Sequence, residues 1–130
     1  INTIQYITIS TLGNSADFGD SISNTVNRGA SSNSVRGVHG IDTSPVATLD
    51  YGTIATLGNT QDFGDLTRNN TYVPSAASPT RAIFAGGGPG GGVNTIDYVQ
   101  IMSTGNALDF GDLVDARSLA SAISNGHGGL

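Results

Sequence analysis

Three copies of Asp-Phe-Gly-Asp, beginning at Asp17, Asp62 and Asp109, are the residues of this sequence best suited to chemistry. Each copy sets two carboxylates three residues apart, beside Asn side chains, so that Asp17 with Asp20, Asp62 with Asp65 and Asp109 with Asp112 offer hard oxygen ligands of the kind calcium takes. The alternating acidic run of an EF-hand is missing, however, and the chain contains no Glu with which to end one. The alternative expectation is structural. One Asp of each pair accepts backbone N–H bonds in a tight turn, while the Phe fills the gap between packed units. Three identical copies favour the structural role, because a packing device must recur in every unit and a binding site need not. A kinase reading fails for want of a Gly-rich loop, a strand lysine and a catalytic-loop motif. Calcium is therefore the one cofactor these residues admit, and no other is expected.

The remaining candidates are sparser. Arg36 and Arg81 are two of only five basic residues, and the expectation for each is a pairing with a neighbouring unit's Asp or the capping of backbone carbonyls. His39 and His127 fall at different phases of the sequence pattern, and neither has a motif neighbour that would make a metal or catalytic site. The run GGGPGGG from Gly86 to Gly92 lacks the Gly-Lys-Ser/Thr ending of a phosphate cradle and reads as a flexible or tightly turning connection. No Gly-x-Ser-x-Gly, His-Glu pair or cysteine can be assembled into a nucleophilic or zinc site, so the expectation is a non-enzymatic protein. The segment RNNTYVPSAASP, from Arg68 to Pro79, diverges most between copies, which makes Tyr72, Asn69 and Asn70 the candidate ligand-binding residues. Asn69-Asn70-Thr71 is also a glycosylation sequon, of a kind that an Asn/Thr-rich chain contains by accident.

These residues are positioned by a repeat. IQYITISTLGNSADFGD from Ile4, LDYGTIATLGNTQDFGD from Leu49 and IDYVQIMSTGNALDFGD from Ile96 superpose at offsets of 45 and 47 residues. Tyr6, Tyr51 and Tyr98 coincide, as do Ile9, Ile54 and Ile101, and the Gly-Asn pairs that begin at Gly13, Gly58 and Gly105. Arg36 and Arg81 each lie 16 residues beyond the preceding tetrad, whereas the third copy has Gly128 there. Three units follow: Ile1 to Thr48, Leu49 to Thr95 and a truncated Ile96 to Leu130.

Helix is a poor reading of such a unit, since no window keeps 3.6-residue apolar periodicity and Gly, Asn, Ser and Thr are weak helix formers. Aromatic and β-branched residues in Ile4–Ile9, Leu49–Ile54 and Ile96–Ile101, bounded by turn signals, predict strands that are partly apolar on both faces. Such strands belong to sheets packed between two others. Arg81–Ala85, Ile96–Ile101, Asp109–Leu113 and Leu119–Ile123 are the four strand candidates of a unit, and four strands in about 46 residues match the arithmetic of a propeller blade.

The run RAIFAGGG from Arg81, then NTIDYVQI, DFGDL and Ala116-Arg117, resembles a kelch repeat, with Phe18, Phe63 and Phe110 standing where kelch repeats usually carry Trp. Over nearly its whole length the chain resembles more closely the Tyr-x-x-Ile…Thr-Gly-Asn…Asp-Phe-Gly-Asp-Leu arrays of structural proteins from marine and cyanobacterial tailed phages. The resemblance implies an all-β chain of β-propeller-type, four-stranded antiparallel blades, its ring completed by further repeats or a second copy. An open β-repeat stack or fibre is the architectural alternative. It also implies a virion appendage such as a tail fibre, located on the virion or an extracellular surface, whose partners are copies of itself or other appendage proteins. A glycan-binding or adhesive module that reads host-surface sugars, or an extracellular fibre subunit, is the functional alternative.

Composition narrows the partners further. In 130 residues there are no cysteines, 12% are charged, and the net charge of −5 comes without any basic cluster, so nucleic-acid binding is not expected. No apolar stretch approaches the roughly 18 residues of a membrane helix, so membrane insertion is not expected either.

Overall fold

The computed structural model describes residues 1–24, 29–40, 46–88 and 90–125, with Val46 described by its backbone. Among these residues the fold is all-β, without helix, and its ten strands form three separate antiparallel sheets, none closed on itself. Strand β1 (Thr3–Tyr6) pairs with β2 (Ala16–Asp20) in a two-stranded sheet. Then β3 (Ala30–Ser32), β4 (Arg36–Gly40), β5 (Val46–Thr53) and β6 (Gln61–Asn70) follow as a meander in chain order. A second meander repeats the pattern with β7 (Ser75–Ala77), β8 (Arg81–Ala85), β9 (Val93–Gln100) and β10 (Leu108–Arg117). Each sheet thus begins and ends part-way through a unit of the sequence repeat, and β1–β2 match β5–β6 and β9–β10 in register and sequence.

The core lies where the two four-stranded sheets face each other. Val38, Leu49, Phe63, Leu66, Ala82, Phe84, Val99 and Ile101 form one buried cluster, with Val73 and Ala107 completing it. Leu49 and Ile101 are fully buried, and each contributes on the order of 1.5–3 kcal/mol by leaving water. Strand β1 lies outside this core. Tyr6 is half exposed, and Ile7 and Ile9 beyond it face solvent, whereas Leu49 and Asp50 in β5 and Asp97 and Val99 in β9 are buried.

The structure ends the first strand at Tyr6 and not at Ile9, and it corrects two further strand assignments. Leu119–Ile123 is not a strand: Leu119 has φ +55°, and no described strand pairs with the segment. Ser75–Ala77, which falls in the divergent segment Arg68 to Pro79 and is not among the strand candidates of the sequence, is the first strand of the second meander. Its Ser and Ala side chains carry little β preference of their own, and the ladder with Ala82–Phe84 holds it.

Between β8 and β9 the described residues Gly86 to Gly88 turn tightly. Gly86, Gly87 and Gly88 are buried at positive φ, and their amides donate to the carbonyls of Thr95, Arg117 and Thr71 at 2.8, 2.7 and 2.7 Å. A Cβ at Gly87 would strike the Thr71 carbonyl and the Val73 side chain, so only glycine fits.

Candidate functional site

Each Asp-Phe-Gly-Asp tetrad lies in the last strand of its sheet and forms a bulge there. In all three sheets the register slips at the Phe: Ile4 faces Gly19 but Gln5 faces Asp17, Leu49 faces Gly64 but Asp50 faces Asp62, and Ile96 faces Gly111 but Asp97 faces Asp109. Glycine is required at the bulge because φ is +143° at Gly19, +138° at Gly64 and +140° at Gly111. The first Asp steadies it, as Asp17 Oδ1 accepts the Gly19 N–H at 3.2 Å and Asp109 Oδ1 accepts that of Gly111 at 3.0 Å. The backbone-accepting role expected for these carboxylates is thus present at Asp17 and Asp109, in a strand bulge and not in a tight turn.

The Phe of each tetrad packs edge-on against the Tyr of the same unit, with ring centroids 6.2 Å apart for Tyr6–Phe18, 5.9 Å for Tyr51–Phe63 and 5.9 Å for Tyr98–Phe110.

The bulge is also a joint. The Gly58 N–H donates to the Phe18 carbonyl at 2.8 Å, the Thr60 N–H donates to the Asp20 carbonyl at 2.8 Å, and Asn59 Oδ1 accepts the Asp20 N–H at 2.9 Å. One unit further on the same atoms meet again. Gly105 N–H donates to the Phe63 carbonyl and Ala107 N–H to the Asp65 carbonyl, each at 2.7 Å, and Asn106 Oδ1 accepts the Asp65 N–H at 3.1 Å. The Gly-Asn loop of one sheet therefore clamps the bulge of the sheet before it. The approach is close enough that a Cβ on Gly19 or Gly64 would collide with the carbonyl of Gly58 or Gly105. The two Gly-Asn pairs read from the sequence as turn signals prove to be the gripping half of this clamp.

Arg36 makes a further link of this kind. Its guanidinium stacks 4.1 Å over the Tyr51 ring, and Nη1 donates to the Ile101 carbonyl of the neighbouring sheet at 3.0 Å, which is the carbonyl capping expected of it. Arg81 stacks in the same way over Tyr98, at 5.1 Å.

One polar cluster escaped the sequence. His39 and Asp50 face each other across β4 and β5, with His39 Nδ1 2.6 Å from Asp50 Oδ1. Asp50 Oδ2 accepts from Thr60 Oγ1 at 2.5 Å and from Ser21 Oγ, in the preceding unit, at 3.0 Å. Burial on its own would raise the Asp50 carboxyl, but the hydrogen bond and charge of His39, with the Thr60 and Ser21 hydroxyls, outweigh it and hold the pKa below the ordinary value. Here the carboxylate is the hub of the cluster, whereas in a Ser-His-Asp triad the imidazole is. Pairing β4 with β5 so that Arg36 meets Thr53 would have revealed the His39–Asp50 contact.

The ligand candidates divide. Asn70 is buried, its Nδ2 donating to the Gly86 carbonyl at 2.7 Å and its Oδ1 accepting the Thr71 N–H at 3.1 Å, so the side chain is committed to the glycine connection. Asn69 is exposed on β6. Tyr72 is partly exposed at φ +55° and lines an open cleft of about 400 Å³ with Pro74, Ser75, Leu119 and Ser121. Among the described residues the Asp pairs join no group of three or more His, Cys, Asp or Glu side chains able to hold a metal. His127 lies outside the described residues. No protein-family model and no curated protein sequence matches this chain.

Proposed function

We propose that this chain is a non-enzymatic structural repeat protein whose kelch-like, four-stranded blades stack side by side, as part of a β-propeller or of an open β-repeat array in a virion appendage such as a phage tail fibre. The observation that supports the structural role is the clamp. The Asp-Phe-Gly-Asp tetrad that dominates the sequence is spent, in two successive copies, on backbone bonds from unit to unit. A joint that recurs with the same atoms is what a load-sharing array of repeats requires, since each unit touches only its neighbours. The appendage assignment comes from the resemblance of the repeat to tailed-phage arrays. Its test is labelling of purified tailed particles from the source material with an antibody raised against this chain. Decoration of an appendage in electron micrographs is expected, and particles that carry no label overturn the assignment.

The tetrads act in this reading without a cation. Melting temperature is expected to be the same in calcium and in chelator, because a ligand that bound only the folded chain would raise it.

The cleft at Tyr72 favours a second reading, that of an adhesive module for host-surface glycans. An aromatic ring half open to solvent beside Ser hydroxyls suits the stacking and hydrogen bonding that sugars need. Glycan-array binding that disappears in Tyr72→Ala would establish it, and an array without hits would remove it.

A further inference from the structure

We infer that the two outermost halves of the clamp bind each other between copies of this chain, so that it associates head to tail: the Gly13–Asn14 loop of one copy grips the Phe110–Asp112 bulge of the next. The inference rests on the clamp described above and extends it from within the chain to between chains.

The receiving half is already formed. Gly111 has the same φ as Gly19 and Gly64 to within a few degrees, and its N–H is held by Asp109 as that of Gly19 is held by Asp17. What differs is the cover. A Cβ at Gly19 or Gly64 meets the gripping loop, whereas one at Gly111 meets nothing within 4 Å among the described residues. Phe63, under the second clamp, is 2% exposed, and Phe110, at the matching position, is 54% exposed. Arg81 adds to this face. It is stacked on Tyr98 as Arg36 is on Tyr51, and Arg36 reaches across to the Ile101 carbonyl of the next sheet.

The gripping half is present at the other side. Gly13–Asn14 is the third copy of the loop, between β1 and β2, and no described residue lies within 4 Å of a Cβ built on Gly13. Ile9, which matches the fully buried Ile101 whose carbonyl receives Arg36, is 94% exposed. Gly58 and Gly105 stand at φ +150° and +149° in their occupied clamps, and Gly13 does not share that conformation. Docking would bring it there, which a glycine allows at little cost.

A second copy is the occupant because donor and receiver belong to one chain and match, position for position, a joint that the chain makes twice internally. Backbone bonds from a loop to an exposed bulge would be joined by burial of Phe110 and Ile9, which is the combination that β-augmented assemblies use.

The test is sedimentation of the full chain over a wide range of concentration, with two variants chosen to leave the fold intact. Gly13→Ala meets no neighbour in the free chain but opposes the φ of the docked loop, and Phe110→Glu places a charge at a solvent-exposed site that docking would bury. The wild type is expected to populate multiples of the 13.1 kDa chain mass, and each variant alone to associate at least about tenfold more weakly. Gly13→Ala keeps its receiver and Phe110→Glu keeps its loop, so an equimolar mixture of the two is expected to form a species of twice the chain mass that neither forms alone. A wild type that remains monomeric throughout, or variants that associate as the wild type does, overturn the inference. Failure of the clamp itself is separate: it would show as an unchanged melting temperature of monomeric Gly64→Ala.

Discussion

The two clamped joints share one backbone and differ in what fills them. At the joint between the two-stranded sheet and the first meander, Ser21 and Thr60 reach the Asp50 carboxylate, and His39 closes it from across the strand pair. At the joint between the two meanders the matching positions are Leu66, Ala107, Asp97 and Phe84. There Leu66, Ala107 and Phe84 are buried in the core cluster, and Asp97 is served from β6 instead, by the Thr67 N–H at 3.0 Å and the Thr67 hydroxyl at 2.7 Å. The polar and apolar solutions sit on the same hydrogen-bond frame. The frame therefore sets the geometry of the joint, and the side chains set how much it resists separation and how that resistance varies with pH.

The comparison breaks most visibly at the Phe positions. Phe63→Ala is expected to cost about 3–5 kcal/mol because the ring is enclosed by both meanders, and Phe110→Ala, at an open face, about 1 kcal/mol. Chemical denaturation of the two variants checks the difference, and equal losses would mean that the joint is not what buries Phe63.

Next comes the polar cluster. Asp50→Ala removes the buried carboxylate on which His39, Ser21 and Thr60 converge and is expected to cost about 3 kcal/mol. The double replacement His39→Phe with Asp50→Leu, which imports the character of the second joint, should recover most of that loss.

Acid sharpens the contrast further. The Asp50 pKa is lowered from 3.8, so its contribution to stability is complete above that value and fades as pH falls through the lower, folded value. Melting temperature should therefore drop on acidification below about pH 4, and Asp50→Asn should flatten that part of the profile. An unchanged slope in Asp50→Asn would assign acid sensitivity to other carboxylates.

The smallest effect belongs to the frame. Asn106→Ala removes one acceptor from the clamp and is expected to cost about 1 kcal/mol, whereas Asn14→Ala in the monomer should cost nothing measurable by the same thermal melts.

Much of this was legible in the sequence because the repeat amplifies weak signals. Tyr51, Ile54, Tyr98 and Ile101 fixed β5 and β9 by composition, and the tetrads marked β2, β6 and β10 by identity. The three-residue strands β3 and β7 were hidden because Ala-Ser-Ser and Ser-Ala-Ala carry no strand preference and are held only by their ladders. Leu119–Ile123 misled for the opposite reason, having apolar residues without a described strand beside them. The polar cluster was out of reach of motif reading, since His39 and Asp50 are neighbours only through strand register and Ser21 arrives from another unit. The role of Asn59 and Asn106 was obscured by their resemblance to ordinary turn residues, although their exact recurrence beside glycine was visible.

The clamp spends main-chain groups on one side and, on the other, two amides and a single Asn side chain. Recognition encoded in backbone is indifferent to most substitutions, so the outward loops and strand faces of such a unit can drift while neighbouring units still fit. A chain joined in this way separates what holds it together from what it displays, and new surface specificities can arise by exchange of residues that the joint never touches.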